Sequence, residues 1–265
     1  EDVVQVARFG AKITISTAAI NAMDATRKHI EELANAEDPV YGISTGFGAL
    51  AQRHIPQADR DQLQKSLIRS HAAGMGDPVE KEVVRALMLL RLKTMCSGQT
   101  GVRSLIATTY AAILNAGITP KVLEYGSLGC SGDLAPLAHC ALVLMGEGTA
   151  YGPDGQEQPA ATLLEAAGIK PVELREKEGL ALINGTDGML GMLIMACHDL
   201  AALLDQGDLI AAMSIEGQLG TDQTLRSQLH QDLRPHPGQA VSANNMFSAL
   251  SGSEIIASHR HGDGV

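Results

Sequence analysis

Tryptophan is absent from this 265-residue chain, and four tyrosines and three phenylalanines supply all its aromatic surface. So few flat rings disfavour a base-stacking platform for single-stranded nucleic acid. A positive excess is missing too: 20 basic against 30 acidic side chains give a formal net charge of −10, the wrong sign for phosphate backbones. No unbroken apolar run approaches the ~20 residues that span a bilayer; the longest are of the order of Met192-Leu193-Ile194-Met195-Ala196-Cys197. The start, Glu1-Asp2-Val3-Val4, carries neither a basic region nor a signal-like apolar stretch. The four cysteines, Cys96, Cys130, Cys140 and Cys197, lack C-x-x-C spacing, which leaves free thiols in a reducing cytoplasm as the expectation.

What the chain does have is 45% hydrophobic residues and 28 glycines, the composition of a folded domain with many tight turns. Apolar spacing predicts mostly helix. Ile20, Met23, Ile30 and Leu33 form a stripe over 18–36, after a possible short strand at Ile13-Thr14-Ile15. Asp77-Pro78-Val79-Glu80 reads as a helix start with Asp as cap, Pro in the first turn and Glu as the capping-box partner. That helix runs through Val83, Leu87 and Leu90 to Gly98. Val102, Leu105, Thr109 and Ile113 mark another, closed by Gly117, and Leu134 to Leu144 a third between Asp133 and Gly146. Gly152-Pro153-Asp154-Gly155 is a turn between strand-like pieces, with a short helix over 159–167. The pattern from Thr186 to Leu204 is apolar almost all round, as in a buried bundle helix, with a separate helix at 208–219 and a loop-rich last thirty residues.

Three strings invite chemistry and decline it. Gly46-Phe47-Gly48-Ala49-Leu50-Ala51 fits a loose dinucleotide pattern, but Gln52, Arg53, His54 and Pro56 do not continue as a buried βαβ helix. His259-Arg260-His261-Gly262-Asp263 has metal-like spacing but sits in a tail with no other ligand nearby in sequence. Gly129-Cys130-Ser131-Gly132-Asp133 is not a nucleophile elbow, because Asp133 stands where the last glycine belongs.

The longer string Gly126-Ser127-Leu128-Gly129-Cys130-Ser131-Gly132-Asp133-Leu134-Ala135-Pro136-Leu137-Ala138-His139 carries more. It resembles the signature of the aromatic amino acid ammonia-lyases. Val40-Tyr41-Gly42-Ile43-Ser44-Thr45-Gly46-Phe47-Gly48 looks like that family's tyrosine loop. Ser70-His71-Ala72-Ala73-Gly74 and Glu178-Gly179-Leu180-Ala181-Leu182-Ile183-Asn184-Gly185-Thr186 look like its substrate-pocket segments. Order and spacing agree over essentially the whole chain, and the Cys in the tripeptide resembles the bacterial, histidine-specific branch.

The resemblance implies that Cys130, Ser131 and Gly132 cyclise into 4-methylidene-imidazol-5-one (MIO). The Gly132 nitrogen attacks the Cys130 carbonyl carbon, Ser131 is dehydrated, and two waters leave; no metal or nucleotide is implied. It implies Tyr41 as the base for the substrate β-proton, His71 as the side-chain contact and Asn184 as a partner of the amino-acid end or the MIO carbonyl. Asp133 is expected to cap the following helix, and His139, on an apolar helix, to be a satisfied core histidine. The implied reaction is elimination of ammonia from L-histidine to trans-urocanate, with tyrosine or phenylalanine as alternative substrates. A non-catalytic fragment with a structural association role is the reading from a different class.

The implied fold is mainly α and ammonia-lyase/fumarase-like. A mixed amino-terminal region, 1–185, carries the MIO turn, and 186–265 begin a long helical bundle that is incomplete. The family continues with a Gln-Asp-x-Tyr-Ser-Leu-Arg segment and further helices, so the chain resembles an amino-terminal portion, expected to be inactive alone. Arg69, Arg85, Arg91 and Arg103 lie on predicted helices and Arg260 in the tail, so none matches that segment's arginine. The family's homotetramers imply a homo-oligomer, with no nucleic acid or membrane partner.

Overall fold

The computed structural model describes residues 1–231 and 233–259. Arg260 and the rest of the histidine-rich tail lie outside the described residues. The chain divides into two compact units, Glu1–Met195 and Ala196–Val265.

The first unit is helical with two small sheets. Its elements run α1 (Asp2–Ala7), α2 (Thr17–Ala34), α3 (Gln57–His71), β1 (Met75–Pro78), α4 (Lys81–Cys96), α5 (Ser104–Asn115), β2 (Thr119–Pro120), β3 (Leu123–Tyr125), α6 (Leu134–Leu144), β4 (Thr149–Tyr151), β5 (Glu157–Pro159), α7 (Ala160–Ala166) and α8 (Glu178–Ile183). Then α9 (Asp187–Gly217) begins. Strand β1 pairs antiparallel with β3, Met75 opposite Tyr125; β4 sits between β2 and β5 in a second antiparallel sheet. The core is built on α4, α5 and α6, where Met88, Met95, Ile106, Ile113, Leu137 and Leu144 are buried. Tyr110 and Cys140 lie within it, and burial pushes the Cys140 thiol up to about 12, which leaves it unreactive.

Several expectations change. Ile13–Ile15 is not a strand. The Asn115 side chain straps it, accepting from Ile13 N (3.0 Å) and donating to Ile13 O (2.8 Å), so one amide satisfies backbone that a strand would otherwise pair. The Asp77-Pro78 signal does not start a helix. Pro78 closes β1, Val79 N donates to Val122 O (2.9 Å), and the helix begins at Lys81 after an uncapped Glu80. In α5 the buried face is Ile106, Tyr110, Ile113 and Leu114, while Leu105 is exposed.

The two helices expected around 186–204 and 208–219 are one helix of 31 residues, uninterrupted at Gly207. It is also not a buried helix: Leu193, Leu200, Leu203, Leu204, Ile210 and Met213 are exposed. Glu178–Gly217 is long and apolar enough to cross a membrane by length and composition alone, a criterion that core helices also meet.

In the second unit Ala212, Leu225, Leu250 and Ile256 form their own buried cluster. After α10 (Ser227–Gln231), the last thirty residues are not loop-rich where described: α11 (Pro237–Ala249) and α12 (Glu254–His259) follow one another, with Pro237 in the first turn of α11.

Buried and half-buried arginines close several element ends. Arg85 donates to Val6 O, Ala7 O and Leu114 O, at the ends of α1 and α5. Arg60 donates to Ala34 O, the last residue of α2, and to Ile55 O. Arg27 reaches Gly101 O and Glu176 O. The last four carbonyls of a helix have no partner within it, and the guanidinium fork supplies donors from a neighbouring element.

Candidate active site

The tripeptide lies in the connection from β3 to α6, on a turn made by two left-handed glycines, Gly129 (φ +63°) and Gly132 (φ +72°). Cys130 and Ser131 are exposed on it. At position 132 glycine is needed twice: for its positive φ, and because a Cβ there would sit 2.9 Å from Asn184 Oδ1.

Asp133 occupies the cap position of α6 but does not cap it. Its carboxylate, 2% exposed, turns back into the turn, where Oδ2 accepts from Ser127 Oγ (2.5 Å) and Oδ1 from Leu128 N (2.8 Å). Its own N–H donates to Gly185 O (3.0 Å). The turn is thus pinned at one end by a buried acid and at the other by the α8–α9 connection, which puts Asn184 beside Gly132.

His71 ends α3, and the chain passes through Gly74 into β1, whose partner β3 feeds the turn. A Cβ on Gly126 would meet Gly74 Cα at 3.1 Å, so the His71–Gly74 segment lies against the start of the turn. The His71 ring bonds back to its own helix, Nδ1 donating to Leu67 O (2.8 Å), which leaves Nε2 as an acceptor.

His139, on α6, accepts from Gly74 N through Nε2 (3.1 Å) and is the satisfied histidine expected. Burial lowers its pKa from the usual value. The neutral ring is therefore favoured by the folded state. Its contribution is complete above the unfolded pKa of ~6.5 and is lost as pH falls through the lower folded value. His139→Gln keeps an acceptor and cannot charge. Urea midpoints at pH 7.5 and pH 5 are expected to differ less in that variant than in the parent; an equal difference would remove His139 from the acid sensitivity.

Tyr41 sits on a turn after Val40, 51% exposed, in an edge-to-face contact with Phe47 at 6.2 Å. Gly42 (φ +73°) brings this turn against α8, where a Cβ would lie 2.9 Å from Leu180 Cδ2. Helix α8 also receives α3 through Gly179 N donating to Gln64 Oε1 (2.9 Å). The tyrosine turn, α3 and the Cys130-Ser131-Gly132 turn therefore all border one short helix and its exit. The G-x-G-x-x-A string is part of this tyrosine loop, with Gly48–Leu50 as a single 3₁₀ turn and Gly46 N donating to Arg53 O (3.1 Å).

What fixes α8 is a set of ions that sequence reasoning left without a role. Glu178, wholly buried, accepts from Arg103 Nε (2.8 Å), Arg103 Nη2 (2.7 Å), Arg103 N (3.1 Å) and Arg175 N (2.8 Å). Just before it Lys177 adopts φ +72°, a left-handed conformation costing roughly 1–2 kcal/mol in a residue with a side chain. At the other end, Arg91 donates to Ala181 O (3.0 Å) and Asn184 O (3.3 Å) and forms a fork with Asp187. Arg91, one of two arginines in the otherwise apolar run Val83–Leu92, was the available signal, since such a charge is rarely buried without a partner.

This arrangement belongs to a known family. The profile of the aromatic amino acid lyases matches residues 1–265, and the chain is a member of that family. A histidine ammonia-lyase from Streptomyces avermitilis is 64% identical over 98% of this chain and half of that protein. The chain spans about half the length of the curated relatives it matches. Among solved structures, histidine ammonia-lyase from Trypanosoma cruzi matches with a TM-score of 0.84 at 35% identity, over 92% of this chain and 47% of that one. Tyrosine aminomutase from Streptomyces globisporus matches with a TM-score of 0.88 at 35% identity, over 99% of this chain and 51% of that one.

Proposed function

We propose that this chain is the ring-forming portion of an enzyme that eliminates ammonia from L-histidine to give trans-urocanate. The observation that carries the reading is the Cys130-Ser131-Gly132 turn, held by buried Asp133 and set against Asn184. The strong likeness to histidine ammonia-lyases supports the substrate.

The residues present fit an MIO. Gly132 supplies a small, left-handed position for backbone closure onto Cys130, Ser131 is exposed for loss of its hydroxyl, and no bulk opposes the turn at 132. Such a group supplies an electrophile for the departing amine. Around it, the Asn184 amide orients the amino-acid end of the substrate. His71 Nε2 accepts a hydrogen bond from the substrate imidazole N–H. Tyr41 takes the proton from the substrate Cβ. The α6 N-terminus, directly after the turn, favours negative charge beside it.

Within this reading residues 1–185 form the ring-bearing part and 186–265 begin a helical bundle. Association with further copies of the chain is supported by the exposed apolar residues of α9. A reducing compartment suits the free cysteines, two of them exposed.

Intact mass and product formation test this together. A protein of the relatives' length carrying this segment is expected to weigh two waters less than its sequence and to release urocanate from histidine. Ser131→Ala is expected to restore the full mass and abolish turnover. Full mass in the parent, or preference for tyrosine or phenylalanine over histidine, overturns the reading.

A further inference from the structure

From the fork between Arg91 on α4 and Asp187 at the start of α9 we infer that these two buried residues form a positioning pair for the ammonia-lyase site, acting through the backbone at 184–185. The inference rests on the function proposed above. Both residues are nearly inaccessible, at 3% and 7% exposed. Arg91 Nε donates to Asp187 Oδ2 at 3.0 Å, Nη2 donates to the same oxygen, and Nη1 takes the carbonyls of Ala181 and Asn184. One guanidinium thus closes the last turn of α8 and holds the first residue of α9.

Between those ends lie only Asn184, Gly185 and Thr186, and two of them touch the turn. Gly185 O receives Asp133 N at 3.0 Å, and Asn184 Oδ1 stands where any side chain at 132 would go. The pair leaves no room at 185: a Cβ there would lie 1.7 Å from Arg91 Nη2 and 2.4 Å from Asp187 Oδ2. Gly185 is therefore glycine because the ion pair runs behind it, and the ion pair is what fixes the register of the Asn184 amide and Gly185 carbonyl against Gly132 and Asp133. A shift of about 1 Å in such a support costs on the order of 100-fold in turnover.

The test compares Asp187→Asn, which keeps the shape and one acceptor but not the charge, with Arg91→Lys, which keeps the charge but not the fork. Both are made in a protein of the relatives' length and studied well below their melting temperatures. The readouts are circular dichroism, the fraction of molecules with the two-water mass deficit, and kcat and KM for histidine. The expected result is a folded protein with an incomplete mass deficit or a kcat lowered at least 10-fold, Arg91→Lys being the worse. Complete ring formation with kcat within twofold of the parent, beside a lowered melting temperature, overturns the inference and makes the pair purely structural. Failure of both variants to fold counts against it in the same way. A parent without the mass deficit defeats the proposed function itself, so the two failures are read from different proteins.

Discussion

In a protein of the relatives' length, Tyr41→Phe is expected to lower kcat for histidine by about 10²–10⁴-fold, the usual range for loss of a positioned proton acceptor. Only the hydroxyl is removed. The ring that remains keeps its edge-to-face contact with Phe47. Tyr41 is half exposed, and such substitutions usually change stability by less than about 0.5 kcal/mol. The Cys130-Ser131-Gly132 turn is on a different segment, so the two-water mass deficit that the proposed ring entails is expected to stay complete. Initial rates, thermal unfolding and intact mass on one preparation separate these effects. A kcat within threefold of the parent would remove Tyr41 from the proton-transfer role.

Glu178→Ala is expected to be the most damaging change to stability outside the apolar core. The carboxylate is wholly buried and accepts from Arg103 and Arg175. Removing it leaves the Arg103 guanidinium, itself largely covered, without its counter-charge. Breaking a buried pair from one side costs about 3–5 kcal/mol. For a domain of this size that lowers the melting temperature by about 6–20 °C. Glu178→Gln keeps acceptor and shape and is expected to fall between. Because Glu178 opens the helix that leads into Asn184, loss of the site is expected at temperatures below global unfolding. A melting temperature within 2 °C of the parent for Glu178→Ala would show that Arg103 finds equivalent partners.

The sequence announced the helices whose apolar stripes face a core within the chain: Ile20, Met23 and Ile30 in α2, and Leu137, Ala141 and Leu144 in α6. It misplaced elements whose partners are distant. Pro78 reads equally well as the first turn of a helix or the end of a strand, since its fixed φ suits both, and only the pairing with Leu123 decides. The apolar run from 187 onward signals a helix but not where its face goes. At the site, the Cys130-Ser131-Gly132 string and its neighbours were legible because the chemistry needs those residue types in one order. Asp133 was legible as a helix-start residue, yet its carboxylate serves Ser127 and Leu128, a choice made by the left-handed glycines that fold the turn over it. The ion pairs Arg91–Asp187 and Arg103–Glu178 join residues 96 and 75 positions apart, and no local pattern pairs residues so separated.

The arginines that close helix ends from outside have a consequence for how the fold loosens. Arg85 holds the exits of α1 and α5 at once, although those helices are separated by some hundred residues of chain. Fraying at either exit withdraws an acceptor from a guanidinium that also serves the other, so the two terminal turns are expected to open together. Amide protons near the carboxy ends of α1 and α5 are therefore expected to share a protection class in hydrogen exchange. At these two exits a shared side chain, rather than a helix boundary, is expected to set where one opening event stops.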